Sequence, residues 1–154
     1  MAKAMFKVEG MKELEKSLKK LGKVPQKHVT ASAKKAMNIS LKEARANAPY
    51  DTGALKKGII LTGERSRVKG KKVYRVVFDG TMNDVFQKPN KDGKITGYYP
   101  ISQEYGYFAR NGRYIPGFRF ISDSLTDNVS RIEKTIVTEM KKKIDAEIAK
   151  AGLK

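Results

Sequence analysis

The sequence predicts an α+β fold, a small antiparallel sheet packed by two N-terminal helices and a long C-terminal helix. Three observations predict it. A helix-compatible segment runs up to a proline–glycine corner, Ala48-Pro49-Tyr50-Asp51-Thr52-Gly53-Ala54-Leu55. Two β-rich segments leave that corner. The chain then closes on its clearest apolar periodicity, from Ile121 to Ile148.

The elements follow in order. Phe6 and Val8 read as an extended lead-in. Leu14, Leu18 and Leu21 fall at helical spacing, and Gly22 is a plausible stop. Pro25 suits the first turn of a second helix. Along that helix Val29, Ala33, Ala36, Met37, Ser40 and Ala44 mark one face of small residues, so another element should approach closely. Pro49 disfavours helical backbone at Ala48 and should end the helix. Asp51 and Thr52 can accept hydrogen bonds from nearby backbone N–H groups, and Gly53 tolerates a positive φ.

Gly58–Thr62 and Val73–Phe78 read as strands. Between them residues 63–72 form a flexible basic hairpin tip carrying Arg65, Arg67, Lys69, Lys71 and Lys72. Five cations on one tip make a sizeable local potential facing DNA or a partner, or else a solvated loop. Residues 80–97 are long for a connection. They form either an excursion of their own or a segment that orders on contact, with Phe86 and Ile95 as anchors and Asp92-Gly93 closing a small hairpin.

Four tyrosines, Tyr98, Tyr99, Tyr105 and Tyr107, crowd the next stretch. They read as amphipathic packing at a sheet edge or at an interface, or as a surface for bases. Glu104 among them is expected to pair with an arginine in so basic a chain. Arg110-Asn111-Gly112-Arg113 reads as a turn. In the last helix the apolar residues recur mostly every four positions, so the stripe drifts by about 40° per step. One flat surface cannot cover it all. Ile144 and Ile148 are therefore expected to meet a different element from Leu125 and Val129, with a neighbouring subunit as one candidate. Gly152 fits an end cap.

Composition narrows the functional classes. The chain has 154 residues, enough for one domain spanning 1–154, and a formal net charge of +17. Most of the excess lies before residue 81, so it is not a basic tail. Such a field attracts polyanions without reading sequence. The absence of cysteine excludes disulfides, thiolate metal sites and cysteine nucleophiles. His28 is the single histidine, so no histidine cluster forms, and it reads as a surface residue. Gly70-Lys71-Lys72 lacks the pattern of a phosphate-binding loop. No spacing draws Asp51, Asp79 and Glu104 to a metal. No apolar run approaches the ~18 residues that would span a membrane, and the opening residues are too polar for a signal peptide. The expectation is a protein with no catalytic residues, no cofactor, no metal and no membrane span.

Three stretches stand in a telling order. The corner with Pro49, Asp51, Thr52, Gly53 and Leu55 comes first. A tyrosine-rich segment ending Glu104-Tyr105-Gly106 follows, and then Ile115-Pro116-Gly117-Phe118-Arg119-Phe120-Ile121 leads into the long helix. With Gly10-Met11-Lys12-Glu13-Leu14 at the start, this arrangement resembles the head–tail joining family of long-tailed bacteriophages, the neck, tail-completion or tail-terminator-like morphogenesis proteins. The likeness spans nearly the whole chain on short motifs. Two features depart from it: Gly117 separates Pro116 from Phe118, and 80–97 looks like a loop insertion.

The resemblance implies a structural virion protein, made in the host cytoplasm and placed at the neck or tail end. Copies would form a homo-oligomeric ring that contacts other neck, portal or tail proteins, with non-specific DNA contact in the lumen. The alternative is a non-specific nucleic-acid-binding module. A small toxin-like nuclease lacks its catalytic residues.

Overall fold

The computed structural model describes residues 11–65, 67–68 and 71–150, with side chains of the first helix described from residue 28 onward. The lead-in at Phe6 and Val8, the Gly10 of the opening motif, the Leu14, Leu18 and Leu21 side chains, Lys69, Gly70 and Gly152 lie outside the described residues. The fold is α+β. Helix α1 spans Met11–Asn47, about 55 Å at 1.5 Å per residue. The expected break at Gly22 and Pro25 is absent, so one N-terminal helix stands where two were expected. A proline removes one ladder bond, and the Leu, Lys and Gln residues around it carry the helix across.

The final helix departs from expectation in the opposite sense. It is broken into α5 (Phe120–Thr126) and α6 (Val129–Lys150). Asn128, buried at the joint, explains the break. Its side-chain amide donates to Ser124 O at 2.9 Å and to Glu43 Oε2 at 2.7 Å, while its own carbonyl accepts from Ile132 N–H. The side chain thus satisfies carbonyl and carboxylate acceptors at the turn, and the backbone starts the next helix.

Helix α6 lies antiparallel along α1. Glu43 meets Asn128, Lys35 Nζ reaches Glu139 Oε1 at 2.6 Å, and His28 faces Glu147. Among the described residues of α1 the buried ones are Ser32, Ala36, Ser40 and Ala44, and Ala48 just past its end continues the stripe at intervals of four. Their small side chains let α5, α6 and the first β-ribbon approach the backbone. Ser40 Oγ meets Ser124 Oγ at 2.9 Å inside this contact, and Ser124 donates onward to Ile121 O. His28 is not the surface residue expected. It is largely covered by α6, with Nε2 at 3.5 Å from Glu147 Oε1 but outside hydrogen-bond geometry.

The described strands form three separate two-stranded ribbons and not one sheet. Strand β1 (Ile59–Gly63) pairs antiparallel with β2 (Tyr74–Phe78), running from Ile59 opposite Phe78 to Gly63 opposite Tyr74. The core gathers at the base of this ribbon, where Ala44, Ala48, Leu55, Ile59 and Phe120 are buried with Leu41, Val76, Phe78 and Ile121 against them. Residues 80–97 are organised: a 3₁₀ turn at Gly80–Met82, helix α3 (Asn83–Phe86), and strands β3 (Gln87–Pro89) and β4 (Ile95–Tyr98). Phe86 is fully buried and joins Phe78 and Tyr98 edge-on, with Phe120 on the far side of Phe78. Ile95 of β4, paired with Pro89, is 56% exposed and so does not anchor the segment in the core.

Candidate assembly surfaces

The corner forms the expected turn, with Thr52 and not Asp51 supplying the side-chain acceptor among the described residues. Ala48 N–H makes the last bond back to Ala44 O, and helix α1 stops before Pro49. Thr52 Oγ1 accepts from Ala54 N–H at 3.4 Å, a long bond. Gly53 takes φ +78°, and a five-residue helix α2 (Ala54–Gly58) begins there and drops Leu55 into the core. A shallow cleft of about 180 Å³ opens on its outer side, between Pro49, Asp51 and Thr52 on one wall and Val85, Lys88 and Tyr99 on the other. The corner and the tyrosine-rich stretch, far apart in sequence, thus line the same depression.

Among the described residues Glu104 makes no arginine pair. It lies on helix α4 (Tyr99–Tyr105), where helical spacing turns Pro100 and Glu104 inward and Ile101 and Tyr105 outward. The Glu104 side chain is 2% exposed, and its two carboxylate oxygens accept from Ile121 N–H and Ser122 N–H, each at 2.9 Å. It caps the start of α5 from a different element, placing a negative charge on the helix's positive end. Arg119, which occupies the N-cap position at φ +51°, donates its N–H to Glu104 O at 3.0 Å, and Phe118 N–H donates to Gln103 O at 2.8 Å. Gly106 and Gly117 complete the joint. A β-carbon on Gly117 would run into Glu104 O and Gly106 N, which are backbone atoms that cannot swing aside. The Glu-Tyr-Gly stretch and the lead-in to the last helices are therefore one knot.

From this knot projects a ribbon of strands β5 (Gly106–Phe108) and β6 (Tyr114–Pro116), closed at Arg110–Gly112 with Gly112 at φ +78°. Phe108 stands opposite Tyr114, ring centroids 5.2 Å apart, and Tyr107 stands opposite Ile115 on the other face. Phe108 is 76% exposed, and Tyr107, Tyr114 and Ile115 are also in solvent. Tyr114 Oη donates to Tyr105 O at 2.5 Å, which ties the ribbon to the outward face of α4. Of the four crowded tyrosines only Tyr98 packs inside; Tyr99, Tyr105 and Tyr107 are exposed. The sequence reading missed the ribbon. Its signal was there in Tyr-Phe-Ala-Arg-Asn-Gly-Arg-Tyr-Ile, aromatic residues flanking an Asn-Gly turn.

The basic tip is not uniform. Arg65, Arg67 and Lys71 are exposed. Lys72 is engaged, donating to Glu64 O at 2.6 Å with Nζ 5.4 Å from the Tyr74 ring centroid, and Arg75 pairs with Glu64. Ile144 and Ile148 are half-buried, on the stretch of α6 that Glu147 places opposite His28 of α1. Phe118 is 62% exposed beside the knot. Among the described residues no group of three or more His, Asp or Glu side chains could hold a metal ion, and no helix is long and apolar enough to cross a membrane.

Fold and surface together define a structural module: a buried polar knot that fixes element geometry, and exposed aromatic and basic elements suited to contacts between proteins. The family comparison gives this class its name. Residues 12–106 match the HK97-gp10-like family, described as "Bacteriophage HK97-gp10, putative tail-component", and the chain belongs to that family. Its role is thus tail-related and structural, and its place is the virion. The comparisons found no match among curated proteins or solved structures.

Proposed function

We propose that this chain joins the phage head, at the portal or connector, to the tail, acting as an oligomeric ring in the neck or at the tail end. Family membership over residues 12–106 is the observation that carries the reading. The structure supplies supporting features. A rigid knot at Glu104 sets the angle between α4 and α5, and the ribbon beyond it exposes aromatic side chains that a solitary protein would gain by covering. In a ring, the cationic tip at Arg65, Arg67 and Lys71 would meet DNA phosphates in the lumen without reading sequence.

The test is a phage that encodes this chain with the gene interrupted by a stop codon. DNA-filled heads and separate tails should accumulate side by side in electron micrographs, and supplying the chain in trans should restore joined particles. Normal infectious particles from the interrupted gene would remove the proposal. A nucleic-acid-binding module is the second reading, favoured by the +17 charge and the tyrosine content. It requires tight, steeply salt-dependent DNA binding by the isolated monomer. The ring reading requires weak DNA binding and concentration-dependent oligomers by mass photometry.

A further inference from the structure

We propose that the β5–β6 ribbon, with the outward face of α4, is the docking element for a partner protein that presents an apolar groove rimmed by carboxylates. The inference rests on the virion role and names the surface and the chemistry of what covers it.

Three observations carry it. First, the ribbon is apolar on both faces and exposed on both. Phe108 and Tyr114 form one side and Tyr107 and Ile115 the other, and α4, tied to the ribbon through the Tyr105 carbonyl, exposes Tyr105 and Ile101 as well. A two-stranded ribbon is marginal alone in water, and this one is held at its base by the Gly106–Gly117 contact and the Tyr114–Tyr105 bond. A groove that receives it would bury both faces at once. Second, the exposed charge within the segment that builds the patch has one sign. Between Tyr98 and Phe118 the only carboxylate is Glu104, which is buried on its α5 cap, whereas Arg110 and Arg113 stand exposed at the turn. No ion pair engages either arginine among the described residues. Aromatic residues with arginine and little lysine are the composition of interface hot spots. Third, a second copy is a poor occupant of this surface. The apolar depression that this chain itself offers, lined by Met37, Tyr74, Val76, Val77, Ile121 and Leu125, carries Arg75 and no carboxylate, so it would set like charge against Arg110 and Arg113. Double-stranded DNA also fits poorly, because its bases are already stacked and offer these rings no face.

The experiment places a photo-crosslinking residue, p-benzoylphenylalanine, at Phe108 in chain supplied in trans to the interrupted phage, and irradiates purified particles. The expected product joins this chain to one virion protein, and mass spectrometry places the crosslink in an apolar segment flanked by Asp or Glu. A paired measurement counts copies per particle. Arg110→Glu with Arg113→Glu should lower incorporation at least about tenfold, while the purified variant keeps the wild-type melting curve. Lys134→Glu with Lys141→Glu, a like change of charge on exposed α6 positions, should leave incorporation unchanged. A crosslink to another copy of this chain, a crosslink to DNA, or no crosslink from incorporated chain would overturn the docking assignment and leave the virion role standing. Absence of the wild-type chain from purified particles would overturn both.

Discussion

At the scale of single residues, Glu104 decides the most. A buried carboxylate is costly unless its lone pairs are filled, and here two backbone N–H groups at the start of α5 fill them. Glu104→Ala removes both acceptors and strands two part-buried donors, so equilibrium urea unfolding should show a loss of about 2–3 kcal/mol. Glu104→Gln keeps one carbonyl oxygen but aims an amide NH₂ at the other donor, so its loss should be roughly half as large. A Gln variant as stable as the wild type, with the loss confined to Ala, would show that the side chain acts by volume and not by capping. The sequence marked Glu104 as a paired carboxylate. It could not reveal that the partner was backbone 17 and 18 residues away. An arginine partner is a matter of composition, which sequence displays; a helix end arriving from elsewhere is a matter of geometry.

Elements pair through small side chains and a few well-placed charges. Ala44 is fully buried where α1 meets the base of the β1–β2 ribbon. Ala44→Leu adds three carbons to a filled space and should destabilise by about 1–3 kcal/mol in thermal or urea unfolding. The same change at exposed Ala46 should cost almost nothing. The α1–α6 pairing has a titratable contact. The hydrogen bond from Lys35 holds the Glu139 carboxyl below its ordinary value, with Coulombic help from Lys35, Lys142 and Lys143. A depressed carboxylate stabilises the fold above its unfolded-state pKa, and that contribution fades as pH falls through the folded value. Lys35→Met should therefore move the Glu139 titration upward in an NMR experiment and shrink the acid-side loss of stability. No movement would show that the 2.6 Å contact is not populated in solution.

The small stripe on α1 and the stop at Pro49 were legible because each is written in consecutive residues. The continuity of α1 through Gly22 and Pro25 was not, since local breakers yield when helix formers flank them. The α5–α6 joint was hidden for the converse reason. Its apolar period runs through Asp127 and Asn128 undisturbed, and the Asn128 amide is held at the turn by Glu43 from a distant helix as well as by Ser124 O.

For the whole molecule, charge is a property of the surface and adds little to the fold. Arg65→Gln, Arg67→Gln and Lys71→Gln together should leave the unfolding free energy within about 0.5 kcal/mol. The same triple variant should flatten the dependence of DNA affinity on salt, because removing one cation from a phosphate lowers the log–log slope by about 0.9. Full yield of infectious particles from this variant would remove the tip from assembly. Lys72 is best left intact in that test, because its bond to Glu64 O and its place over Tyr74 give it a structural share in the ribbon.

The order of residues along the chain was enough for the α+β class, the corner at Pro49–Gly53, the β1–β2 hairpin and the family, because each depends on neighbouring residues or on their succession. It took the closed fold to show that Glu104 caps α5, that residues 80–97 fold around a buried Phe86, and that a ribbon aromatic on both faces stands clear of the core. Those outcomes depend on which distant segments meet, and hydrophobic burial is non-directional. An exposed aromatic and a buried one read alike until the chain has closed around one of them.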